Sequence, residues 1–167
     1  MPSPRDLAQT LAIQFNYTAW VFNKTLAGVT HQDSLVQPAP AGNCLNWVAG
    51  HLAASRMGML ELLGQETVWD ATWRERYRRG SAPVAGGDDA AAFDGIVRAF
   101  NASQGGIVAG LPALTEDRLD EPAPFSPGND ETETVGSLLA GLAFHESYHC
   151  GQLGLLRRLL GKDGVIK

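Results

Sequence analysis

Apolar residues recur at spacings of three and four along four long stretches of this 167-residue chain, and no stretch of comparable length alternates with a period of two. Spacing of three and four lines up side chains on one stripe of a helix, whereas alternation lines them up on one face of a strand. The pattern therefore predicts an all-α chain, four helices closing around a shared core, and gives a sheet little support. The first stripe runs from Arg5 to about Ala27 through Leu7, Leu11, Phe15, Thr18, Phe22 and Leu26. The second runs from about Asn43 to Leu63, with Asn43 expected to cap its start and Gly64 its end. The third is expected to open at Asp88 or Asp89, carries Phe93, Ile96, Val97, Phe100 and Ile107, and stops before Pro112. The fourth opens within Thr132–Thr134, closes at Gly161, and places Leu138, Leu142, His145, His149, Leu153, Leu156 and Leu160 on one face.

The connections between these stripes are uneven. Residues 65–87 and 111–131 are long, and residues 28–42 separate the first two helices, so the bundle need not run simply up and down. Loops of more than about 15 residues often cover a site. At 44% hydrophobic and 19% charged residues, 1–167 is expected to be a single globular domain with no internal repeat. No apolar run nears the roughly 20 residues of a membrane span, and the opening MPSPRDLAQT lacks a signal-peptide pattern, which together suggest a cytoplasmic protein. Cys44 and Cys150 fit a reducing compartment as small buried hydrophobes. A net charge of −5 argues against nucleic acid as a partner, despite the local run Arg74, Arg76, Arg78 and Arg79.

The chemistry is expected at the histidines. His145 and His149, four apart, share one helix face about 6 Å apart in rise and interrupt a leucine stripe. Two buried imidazoles without partners would carry a desolvation cost that a metal ion removes. His51, between Trp47, Val48, Leu52 and Ser55, also faces the interior and completes three neutral ligands, a set that leaves zinc or nickel an open position. His31 lies in a polar segment and reads as a solvated loop residue. His145-Glu146-Ser147-Tyr148-His149 also spells the zincin pattern, with Glu146 as a general base. Only 18 residues follow, without His or Glu, so that reading lacks its usual downstream ligand, and Glu146 is expected to be solvated or to support the ligands from behind.

Three segments carry a family resemblance: Asn43-Cys44-Leu45-Asn46-Trp47-Val48-Ala49-Gly50-His51-Leu52 with Ser55-Arg56, Leu62-Leu63-Gly64, and His145 through Leu153 with its His-xxx-His-x-Gly-Gln. Together they resemble the DinB/YfiT-like metal-binding four-helix bundles. The resemblance implies up-down-down-up connectivity, frequent homodimers, and one divalent ion held by His51, His145 and His149. It also implies chemistry on low-molecular-weight thiols such as bacillithiol or mycothiol, so the expected function is a metal-dependent thiol S-transferase or hydrolase acting on a small molecule. The alternative is a non-catalytic, metal-binding or stress-associated bundle. Gln152 is a candidate to hold a substrate group or else a polar contact between helices, Tyr148 is expected to pack, and apolar residues left over on helices one and three suggest a dimer face. The segment from Trp69 to Arg79 reads first as a solvated basic loop, and otherwise as a cover that binds a carboxylated thiol or another anion.

Overall fold

The computed structural model describes residues 3–166 and places seven helices and no strand among them. Helix α1 (Pro4–Leu26) begins where Ser3 and Asp6 form a reciprocal capping box and Pro4 takes the first helical position. It buries Leu11, Phe15, Thr18 and Phe22, the stripe read from the sequence. A four-residue helix α2 (His31–Ser34) follows, capped by Thr30. Helix α3 (Leu45–Leu62) ends at Gly64, whose φ of +68° lets the Gln65 N–H close back on the Leu60 carbonyl. A short α4 (Ala71–Arg76) precedes α5 (Phe93–Gly110); α6 (Glu116–Asp120) precedes α7 (Val135–Leu159), which Thr134 and Ser137 cap reciprocally.

Three expectations are corrected. Asn43 does not cap α3: the N-cap is Cys44, which makes no side-chain cap bond and is fully buried, so core packing outweighs capping preference. Asp88 and Asp89 do not open α5. They form a separate single turn, and Asp89 is drawn to Arg76 at 2.6 Å, while α5 starts four residues later behind Ala92. His31 is no solvated loop residue: it sits on α2, half-buried, and its Nδ1 accepts the Phe93 N–H at 3.3 Å. A tertiary acceptor thus serves the first turn of α5, where local sequence offered none.

The four long helices pack in a ring, α1 against α7 and α5, and α3 against α5 and α7. One apolar cluster gathers Phe22, Leu52, Phe100 and Leu153, the other Phe15, Leu60, Ile107 and Leu139. Phe22 and Phe100 stack with centroids 3.7 Å apart. On the long helices the surplus apolar side chains lie on α1 (Ile13, Tyr17, Trp20) and α7 (Phe144, Tyr148, Leu155, Leu159), whereas α5 leaves no large hydrophobe exposed, contrary to the expectation for the third long helix. No described helix is long and apolar enough to cross a membrane.

Candidate metal centre

Helix α3 contributes His51 and α7 contributes His145 and His149, one turn apart. The three lie together, each offering a nitrogen within 4.8 Å of the others, with Nε2 of His51 3.0 Å from Nε2 of His145. Tetrahedral zinc, with Zn–N of about 2.0–2.1 Å, holds its nitrogens about 3.4 Å apart, a value inside this spread. Partners on the far side of two rings fix which nitrogen faces inward. His51 Nδ1–H donates to the Tyr77 carbonyl at 2.9 Å, and His149 Nδ1–H donates to Gln152 Oε1 at 2.7 Å. Both rings therefore present an Nε2 lone pair, the form a metal ligand requires. Burial lowers the pKa of all three, that of His145 to about 3, so the imidazoles stay neutral at physiological pH. The positive charge of Arg79 adds to the lowering at His51 and His145. Trp47 stacks on the His51 ring at 5.0 Å.

Behind the histidines lies a buried polar brace. Glu146 is 2% exposed and takes a two-pronged bond from Arg56, Nε to Oε2 at 2.8 Å and Nη2 to Oε1 at 2.6 Å. Thr18 of α1 donates to the same carboxylate. Arg56 is fully buried, lies over the Phe100 ring at 3.6 Å, and donates to Gln104 and the Phe100 carbonyl. Glu146 is therefore neither solvated nor placed as a general base: it faces the bundle interior, is absent from the cleft wall, and its acceptor sites are occupied. The peptidase reading loses its base on this geometry. Gln152 does contact the site, as the acceptor that orients His149. Tyr148 does not pack inside; it is 56% exposed and lines the cleft. Cys44 and Cys150 are buried and absent from the cleft wall, and burial raises the pKa of the Cys150 thiol to about 12.

The segment between α3 and α5 is held down by Tyr77, which is fully buried. Its hydroxyl donates to Asn46 Oδ1 at 2.6 Å and accepts the Ala91 N–H at 2.9 Å. The ring lies against α3 where Gly50 has no side chain; a Cβ there would come within 2.3 Å of it. The residue before His51 thus admits the loop residue whose carbonyl orients His51. Beyond the histidines opens a cleft of about 1480 Å³, walled by α3, α4, α7, the segment before α3, the segment after α4 and the segment before α7.

Arg56, Tyr77 and Gly50 escaped the reading of the sequence as structural partners, as did the pairing of Glu146 with Arg56. A signal existed for one pair: Arg56 falls on the stripe of Leu52 and Met59, and Glu146 on that of Leu142 and Leu153, so two opposite charges sit on inward faces. Tyr77 and Gly50 left none, because their fit is made between residues 27 positions apart.

A sequence model described as the DinB superfamily matches residues 14–153, most of the chain and all three histidines. No curated protein matches it.

Proposed function

The chain belongs to the DinB superfamily, and from that premise we propose that it is a divalent-metal-dependent enzyme of the thiol S-transferase or hydrolase type, with His51, His145 and His149 holding one zinc or nickel ion. The observation that carries this reading is the convergence of three neutral imidazoles, two with Nδ1 already committed to an acceptor, on the wall of an open cleft. When bound, the ion would lower the pKa of a coordinated thiol or water and so supply a nucleophile near neutral pH. The chain's own share is orientation and exclusion. Tyr77 and Gln152 hold two rings in the ligating tautomer, Trp47 backs His51, and the Arg56–Glu146 brace keeps α7 turned with both histidines toward the cleft.

The same reading takes residues 1–167 as one cytoplasmic four-helix-bundle domain of up-down-down-up connectivity that forms a homodimer and acts on a small molecule. Contacts of Thr18 with Glu146 and of Thr25 with Arg157 support α1 and α7 running the same way. Contacts of Arg56 with Phe100, Leu60 with Gly106 and Leu63 with Gly110 support α3 and α5 doing likewise, and Asn23–Asn101 with Asn16–Gln104 support α1 opposing α5.

Metal analysis of the purified protein tests the proposal. One ion per chain is expected, lost in His145→Ala and kept in His31→Ala. Full metal content in His145→Ala would overturn the ligand set. If the ion is present but neither thiol conjugation nor hydrolysis occurs over a broad substrate panel, the metal serves packing alone.

A further inference from the structure

The arginine run on α4 and just beyond it resolves into three paired charges and one that is not. Arg74 pairs with Glu61 at 2.7 Å, Arg76 with Asp89 at 2.6 Å, and Arg78 with Glu75. Arg79, among the described residues, has no carboxylate partner; its Nη1 donates to the Pro127 carbonyl at 2.6 Å. A guanidinium carries five N–H donors, so four remain. Arg79 stands two residues beyond Tyr77, whose carbonyl holds His51, which limits the separation of the two Cα atoms to about 7 Å. It lines the same cleft as His51, His145 and His149. Pro127 belongs to the segment before α7, so Arg79 ties together two of the loops that line the opening.

Among the described residues, no carboxylate of the cleft wall forms an ion pair with Arg79. Glu75 is bound to Arg78, Asp130 accepts from the Thr132 N–H and hydroxyl, and Glu133 lies two residues ahead of α7, about three turns from His145. An ion with three neutral ligands keeps its double positive charge, and Arg79 adds a third. Phe144 and Tyr148, 72% and 56% exposed, flank His145 and His149 with apolar surface.

We propose that Arg79 is the anion-recognition residue of this cleft, and that the ligand is an amphipathic thiol bearing a carboxylate: the sulfur goes to the ion, the carboxylate to the free edge of the Arg79 guanidinium, and the apolar body lies along Phe144 and Tyr148. This rests on the metal reading above. A planar fork opposite a carboxylate is the strongest polar pairing available to the exposed residues of the cleft.

The test uses the full-length protein loaded with cobalt(II), titrated with mercaptocarboxylates of two to six carbons and with mercaptoalcohols of matching length, read by the sulfur-to-cobalt charge-transfer band. The carboxylate of best-fitting length is expected to bind at least about 10-fold more tightly than its alcohol, the effect of a charge-assisted hydrogen bond. Arg79→Gln should bring the two within about twofold, Arg79→Lys should keep part of the preference, and Arg78→Gln should keep all of it. Equal affinity for both series in the wild type, or an undiminished preference in Arg79→Gln, overturns the assignment and leaves the metal reading standing. No cobalt uptake by the wild type overturns the metal reading and this proposal with it.

Discussion

Gly50 shows how much one hydrogen atom in place of a methyl group can matter. In an exposed helical position Gly→Ala gains up to about 1 kcal/mol. At Gly50 the new Cβ would lie 2.3 Å from the fully buried Tyr77 ring, so the change is expected to cost about 1–3 kcal/mol instead. Gly58, on the same helix with nothing within 4 Å, is the control and should be neutral or stabilising. Urea midpoints read the contrast, and metal affinity should fall in Gly50→Ala alone, because Tyr77 carries the carbonyl that orients His51. The histidines set a second expectation, for the protein stripped of metal. Burial lowers their folded pKa values from the ordinary imidazole value of about 6.5, so below about pH 6.5 the unfolded chain takes up protons that the fold refuses. Their contribution is whole above that pH and is lost as pH falls, levelling off near about 3 for His145. Between pH 7.5 and 5 the wild type should lose stability relative to His145→Gln; parallel curves would sink the idea.

At the scale of elements, the four long helices were legible because each buries a stripe several turns long, enough repeats for period 3.6 to stand out. Helices α2, α4 and α6 were not, at four to six residues, too short for any period. The start of α5 was misplaced because its first N–H is served by His31 from another helix, which no local rule anticipates. His51, His145 and His149 could be picked out because each interrupts an apolar stripe; the Tyr77 support of His51 could not, since it is made by tertiary contact. Between α3 and α7 the strongest single link is Arg56–Glu146. Removing one partner strands a buried charge, so Arg56→Met is expected to cost about 3–5 kcal/mol. The double change Arg56→Met with Glu146→Leu should recover much of that loss, while metal content reveals whether α7 keeps its rotation. If the double variant is no more stable than the single in chemical denaturation, the stranded charge is not the cause.

For the whole molecule, most of the exposed large apolar residues gather on two helices, α1 and α7. Ile13, Tyr17 and Trp20 recur at helical spacing on α1, and Tyr17 shares a groove with Gly151, Gly154 and Leu155 of α7. Isologous pairing over this face is the arrangement we expect for the proposed homodimer. Light scattering at tens of micromolar should give twice the chain mass, and Tyr17→Glu should halve it; a monomeric wild type at that concentration would count against it. The same layout has a practical side. Of the four tryptophans, Trp47 stacks on His51, Trp69 and Trp73 sit beside Tyr77, and Trp20 stands apart on the α1 surface. The chain therefore carries two separate fluorophore populations. Quenching by a paramagnetic ion reports the first, the emission wavelength of Trp20 reports the second, and Trp20→Phe leaves a protein whose glow comes from the histidine side alone.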